Sequence, residues 1–175
     1  MTKNGQCFSI FSNLWFYIGS GNSHLDSENI TRIKNIYGIN KLLNLDSKTG
    51  FWPDTLAKYN QYDPTIIAQL QIRNNDRLIA IYKTISQYIN NIISNPTTIH
   101  NNGKTIDNIV LIHTSDTNNT ECLIGLYIYF LCKYSNVDVK TATEILRTKI
   151  HMNTHTNIHM TDDMKKFLII NCSNK

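Results

Sequence analysis

Residues 113–121, HTSDTNNTE, have the position and the polar groups of a ligand-binding loop. They follow the apolar run IVLIH, which is typical of a buried parallel strand, and they precede the apolar helical pattern of residues 121–134. A loop between a strand and a helix N-terminus gathers backbone N–H groups that bind phosphate or carboxylate. The shape therefore predicts an anion site, yet the loop has no Cys, Arg or Gly and carries the carboxylates of Asp116 and Glu121.

A second candidate site consists of three histidines, His151, His155 and His159. Their spacing of four residues would place them on one helix face, where they could bind Zn²⁺ or Cu²⁺. The segment is crowded with Thr and Asn, which favour loops, and no Cys or carboxylate is interleaved. We therefore predict a solvated loop and no metal site, and the role of the three histidines stays open.

Composition excludes several classes of function. The chain has 175 residues, 41% of them hydrophobic, with a net charge of +4 and scattered basic residues, which argues against a nucleic-acid partner. Four cysteines without a CxxC pair indicate a reducing, cytoplasmic location. No signal-peptide layout and no uninterrupted apolar run of about 18 residues is present, so no membrane association is predicted. Nothing in the composition calls for a cofactor.

The order of elements predicts an α/β fold with a central, mostly parallel sheet flanked by helices. We expect a single domain over residues 1–175, with 1–13 as an N-terminal extension. Apolar runs predict strands at 14–20, 39–46, 65–72 and 109–113, and the polar stretches 47–64 and 95–108 are predicted as loops. Helical periodicity and capping residues predict helices at 23–38, 76–94, 121–134, 138–150 and 161–171. Gly38 is expected to end the first of them, and Thr161 is the expected N-cap of the last.

Four stretches resemble the landmarks of the dual-specificity branch of the protein tyrosine phosphatases in order and spacing. They are FYIGSGNSHL, GINKLLNLD, IVLIH and LIGLYIYFLCKYSNVDVKTATEILRTKI, within a resemblance that covers about residues 14–171. The resemblance implies the cysteine-phosphatase fold for nearly the whole chain. In its compact size and in its composition, which is rich in Asn and Ile and typical of an AT-rich genome, the chain is similar to small viral members of that family.

The family's signature loop, H-C-x-x-G-x-x-R-S/T, falls on residues 113–121. His113 is kept, whereas Thr114 stands at the nucleophilic cysteine and Thr120 at the phosphate-binding arginine. A threonine hydroxyl has no ionised population comparable to that of a thiolate, and it offers no charged fork for phosphate oxygens. Thr117 stands at the glycine and Glu121 at the Ser/Thr. The resemblance places the binding residues at His113, Thr114, Ser115, Asp116, Thr117, Asn118, Asn119 and Thr120.

The family's general acid, an aspartate, falls near Asn74, or on Asp76 if the loop is shifted. Capping preferences favour Asp76 as the N-cap of the following helix instead. For the two loop carboxylates, Asp116 and Glu121, two interpretations stay open. In the first, one of the two carboxylates binds the backbone N–H groups that a phosphate would otherwise contact. In the second, both side chains point to solvent.

These losses predict a catalytically inactive pseudophosphatase that acts as a protein-binding or regulatory module. Its partner would be a protein, for instance a phosphoprotein or a signalling protein. One alternative is a weak residual phosphatase or a phospho-reader, and another is a structural homodimer subunit. In the homodimer, the apolar residues Phe8, Ile10 and Phe11 of segment 1–13 could pack on a neighbour or on their own domain.

Overall fold

The computed structural model describes residues 6–18, 27–44, 77–98, 105–114, 120–153 and 160–173. Its strands are β1 (Gln6–Phe11), β2 (Leu14–Ile18), β3 (Lys41–Asn44), β4 (Thr97–Thr98), β5 (Thr105–Ile106) and β6 (Val110–Thr114). Its helices are α1 (Ser27–Tyr37), α2 (Leu78–Ser94), α3 (Thr120–Tyr134), α4 (Val139–Asn153) and α5 (Asp162–Cys172). The predicted loop 47–64 and the predicted strand 65–72 lie outside the described residues.

The main sheet has the strand order β1-β2-β6-β3. Strand β6 pairs in parallel with β2 on one side and with β3 on the other, and β1 pairs antiparallel with β2. This arrangement confirms the predicted α/β fold with a central, mostly parallel sheet. The central strand has to be apolar on both faces, and Val110, Leu111 and Ile112 are at most 1% exposed.

The two faces of the sheet are covered by different helices. Leu14, Phe16 and Ile112 belong to one apolar cluster with residues of α2 to α5, whereas Tyr17 and Leu111 belong to another with residues of α1. This division follows from the strand period of two, because successive side chains point to opposite faces. The chain is therefore a three-layer structure in its described part.

The N-terminal segment packs on its own domain. Residues 6–11 form β1, whose antiparallel pairing with β2 extends the sheet. Phe11 also meets Phe130 of α3 edge to face, with ring centroids 6.2 Å apart. Of the two packing modes left open for this segment, the described residues show the one within the chain.

Three local predictions need correction. Segment 95–108 was predicted as a loop, but Thr97–Thr98 and Thr105–Ile106 pair as a short ladder. The N-cap of α2 is Arg77, without a side-chain hydrogen bond, so the capping position lies one residue after Asp76, which is itself outside the described residues. Helix α4 continues to Asn153, so His151 lies on its last turn and not in a loop.

Candidate functional site

The strand and the helix of the predicted strand–loop–helix junction are both present. Thr114 is the last residue of β6, in register with Ile18 of β2, and Thr120 is the first residue of α3. Helix α3 therefore starts from the carboxyl end of the central parallel strand, which is where ligands bind in open α/β sheets. The residues between them lie outside the described part of the chain: Ser115, Asp116, Thr117, Asn118 and Asn119.

His113 is a buried residue next to this junction. It lies one residue before the end of β6, in register with Tyr17 on one side and Asn44 on the other. Its side chain is fully buried. His113 therefore belongs to the core next to the junction, and its assignment as a binding residue stays a prediction.

Glu121 serves a different helix from the one expected. Its Oε1 accepts a hydrogen bond of 2.6 Å from the backbone N–H of Thr161, the residue that caps α5. The Thr161 hydroxyl in turn accepts from the N–H of Met164 at 3.2 Å, which confirms Thr161 as the predicted N-cap. The carboxylate of Glu121 thus binds the start of α5, and its role toward the N–H groups of residues 115–119 stays a prediction because those residues lie outside the described part of the chain. Asp116 lies outside the described residues.

Tyr82 is the residue of this region that sequence reasoning missed. It is fully buried, and its hydroxyl donates a hydrogen bond of 2.7 Å to the backbone carbonyl of Cys122, in the first turn of α3. Its ring meets Tyr129 of α3 and Phe167 of α5 at centroid distances of 5.8 and 5.9 Å. Helix α2 thus inserts one phenol between the two helices that flank the site.

Gly125 was the available signal for that contact. A glycine inside an apolar helix costs stability, so it often marks a close approach of another group. A Cβ at this position would overlap the Tyr82 hydroxyl and would lie 3.0 Å from Met164 Sδ. The missing side chain therefore makes the space that Tyr82 fills.

Comparisons with solved structures agree with this architecture, although no family model and no curated protein matches the sequence. The PTP-2 phosphatase of Cydia pomonella matches with a TM-score of 0.58 and 16% identity, over 96% of this chain and 89% of that one. A mutant form of Tk-PTP matches with a TM-score of 0.57 and 10% identity, over 97% of this chain and 95% of that one. A leucine-rich-repeat and phosphatase-domain protein from Entamoeba histolytica matches with a TM-score of 0.52 and 15% identity, over 95% of this chain and 88% of that one.

The chain has the protein tyrosine phosphatase fold. This result confirms the fold that the landmark stretches implied, from β2 through the last helix. At these identities the likeness concerns the fold alone, so the chemistry of the site has to be argued from the residues of this chain.

On this phosphatase fold, the thiol nearest in sequence to the loop is Cys122. Burial raises its pKa above the ordinary value, and the neighbouring Glu121 raises it further. A nucleophilic thiol needs the opposite, a pKa lowered toward neutrality. Burial likewise raises the pKa of Cys7, to about 12. These two thiols are therefore protonated at neutral pH.

The other candidate roles have less support. In the described ranges, no cluster of three or more His, Cys, Asp or Glu side chains could hold a metal ion. His155 and His159 lie outside the described residues, so the absence of a metal site there stays a prediction. The general-acid candidates Asn74 and Asp76 also lie outside. Among the helices described, none is long and apolar enough to cross a membrane.

Proposed function

We propose that this chain is a catalytically inactive phosphatase-fold protein that works as a protein-binding or regulatory module in the cytoplasm. The observation that carries the proposal is Thr114, which ends β6 and which the resemblance aligns with the nucleophilic cysteine of the family's signature. A hydroxyl with an ordinary pKa far above neutrality does not replace a thiolate as the attacking group.

The electrostatics of the junction support the same conclusion. Phosphoryl transfer depends on positive charge held against the phosphate oxygens. Residues 113–121 contain no Lys or Arg and two acidic residues, and Thr120 stands at the arginine position. Glu121, at the position after it, binds the N-terminus of α5. The first turn of α3 is thus used for holding helices together.

The class of partner follows from the resemblance, since related pseudophosphatases act as competitors, anchors or scaffolds for other proteins. We propose a phosphoprotein or a signalling protein as the partner, and an intracellular setting of the kind used by small viral members of the family. An acidic loop favours recognition through the outer surface of the domain over recognition of a phosphate group.

Anion binding is the first test. Thermal melts would be compared with and without phosphate, vanadate, tungstate and a phosphotyrosine peptide, because a ligand that binds only the folded state raises its stability by RT ln(1 + [L]/Kd). We expect no rise in melting temperature at millimolar concentrations. A saturable rise would contradict the proposal and favour the phospho-reader.

Restoring the signature is the second test. Wild-type protein should hydrolyse an aryl phosphate no faster than buffer. The triple variant Thr114→Cys, Thr117→Gly and Thr120→Arg should gain vanadate-sensitive turnover, whereas the matched control with Thr114→Ser should not. Wild-type turnover that is lost on Thr114→Ala would overturn the proposal in favour of a residual enzyme.

The homodimer alternative is separated by the mass in solution. Size-exclusion chromatography with light scattering, run over a hundredfold range of protein concentration, should give the monomer mass throughout. A stable mass of two chains at all concentrations would favour the structural subunit.

A further inference from the structure

Helices α3 and α5 lie side by side and run in the same direction. At their N-termini, Glu121 of α3 holds the backbone N–H of Thr161, 40 residues later in the chain. One turn further along, Gly125 of α3 faces the sulfur of Met164, 39 residues later. Two contacts at nearly the same residue offset fix a parallel register between the helices.

This register brings two cysteines to the same level. Cys132 lies eleven residues after Glu121, and Cys172 lies eleven residues after Thr161. Both helices rise about 1.5 Å per residue, so each cysteine lies roughly 16 Å along its helix from the contact between Glu121 and Thr161. Eleven residues are about three full turns, so Cys132 lies on the side of α3 that carries Glu121, and it is close enough to Cys172 for its side chain to lower the pKa of that thiol. They therefore face each other across the packed helices.

The two thiols differ in access to solvent. Cys132 is only 4% exposed, whereas Cys172, in the last turn of α5, is half-buried and packs against the main apolar cluster. The hydrogen bond from Cys132 lowers the pKa of Cys172, burial opposes that effect, and Lys133 adds to the lowering. Cys172 is thus the more reachable sulfur of the pair, and its pKa is lowered.

We propose that Cys132 and Cys172 form a reversible thiol–disulfide site that ties the C-terminal end of α5 to α3. The oxidant is a low-molecular-weight disulfide of the glutathione type. Such a site suits a reducing compartment, where protein disulfides are transient and redox-sensing.

The exchange balances without a further reactant. The Cys172 thiolate attacks one sulfur of the small disulfide, the S–S bond of that molecule breaks, and one small thiol leaves with the proton that Cys172 lost. The sulfur of Cys132 then attacks the Cys172 sulfur and loses its proton to the second small thiol as that thiol leaves. Two protein thiols are oxidised, and one small disulfide is reduced to two thiols.

The remaining cysteines provide matched controls. Cys122 lies on the same helix as Cys132, ten residues earlier, and both burial and Glu121 raise its pKa. Cys7 is on β1, the first described element of the chain, and burial raises its pKa to about 12. A non-specific oxidation would include these thiols, whereas the proposed site would not.

The test is disulfide mapping in defined glutathione buffers. The reduced protein has four free cysteines, so after equilibration with excess oxidised glutathione and quenching with a maleimide, two labels should remain. Trypsin should then release residues 105–133 joined to residues 167–175. Cys122→Ala should keep this link and Cys132→Ala should abolish it, leaving Cys172 as a mixed disulfide with glutathione.

Stability provides an independent readout. The bridge closes a loop of 40 residues, so oxidised protein should melt roughly 5–10 °C above reduced protein, and Cys172→Ser, at the half-buried position, should lose that rise. A link that survives Cys132→Ala, a wild type that stops at the mixed disulfide, or a bridge that lowers the melting temperature would each overturn the proposal.

Discussion

The middle of α3 and its first turn have different surroundings, although they belong to one helix. Residues 123–132 are all buried, enclosed by the sheet, α2, α4 and α5. Thr120, Glu121 and Cys122 are only half-buried, and their described hydrogen bonds go to α2 and α5. The middle of the helix fills space, and the first turn joins neighbouring elements.

The difference shows why a fold can persist while the residues of one of its loops change. A core needs apolar volume of about the right size, which many side chains supply. A phosphate site needs a thiolate, a guanidinium fork and a tightly wrapped loop at fixed positions, and few substitutions keep these. The core of this chain meets the first requirement, while its loop does not contain the residues for the second.

The largest effect should come from removing the phenol that α2 inserts beside α3. Tyr82→Ala deletes a fully buried ring and should lower the free energy of unfolding by about 3–5 kcal/mol, measured by urea denaturation. Tyr88→Ala, on the same helix but only partly buried, is the matched control and should cost less. Equal losses would contradict the importance given to the middle of α3.

A smaller effect is expected at the glycine that accommodates this phenol. Gly125→Ala would normally stabilise a helix, but the new methyl group overlaps the Tyr82 hydroxyl, so we expect a net loss of about 1–3 kcal/mol. In a Tyr82→Phe background the same change should cost less, because the overlapping atom is gone. A double-mutant cycle measures this coupling, and additive costs would disprove the contact.

Substitutions at the contacts of the first turn of α3 should have smaller effects on the free energy of unfolding. Thr161→Ala removes the N-cap of α5 and should cost about 1 kcal/mol, and Glu121→Ala about 0.5–1.5 kcal/mol, by thermal or urea melts. Glu121→Gln keeps an acceptor oxygen and should recover part of that loss. If Glu121→Ala is neutral while Thr161→Ala is costly, the carboxylate does not hold α5.

The smallest effect concerns Asp138, at the exposed start of α4. The backbone N–H of Thr141, then its side chain, hold the pKa of Asp138 below the ordinary value. Because the folded pKa is lowered, the carboxylate stabilises the fold above its unfolded pKa and loses that effect as pH falls through the folded value. The stability difference between wild type and Asp138→Ala should therefore be constant near neutrality and shrink below about pH 4. Asp138→Asn, which keeps a capping oxygen, should not show this pH dependence.

Much of the local structure was predictable from short-range rules. Thr161 caps α5 as its type predicts, and Gly38 ends α1 with φ +68°, while Ile39 N–H bonds Lys34 O at 3.1 Å. These signals work because a cap depends on residues within one turn. The order of β2, β3, β6 and the five helices, and with it the α/β fold, followed from apolar periodicity in the same way.

Contacts between distant residues were not predictable. Asn108 is 5% exposed, and its side-chain amide bonds the carbonyls of Ile92 and Asn95 at the end of α2. Asn40 accepts from the N–H of Ile109 and donates to Asp107, 67 residues away. In a chain with so many asparagines, nothing in the sequence separates these two from the solvated ones.

By itself, the sequence determined the order of most strands and helices, the positions of several caps and the absence of Cys, Arg and Gly from residues 113–121, because each depends on residue type or on a known local spacing. Only the tertiary structure decided that Glu121 holds α5, that Tyr82 fills the space beside Gly125 and that Cys132 meets Cys172. These contacts join residues about 40 apart, and which side chains meet at that separation depends on how the helices pack against the same sheet.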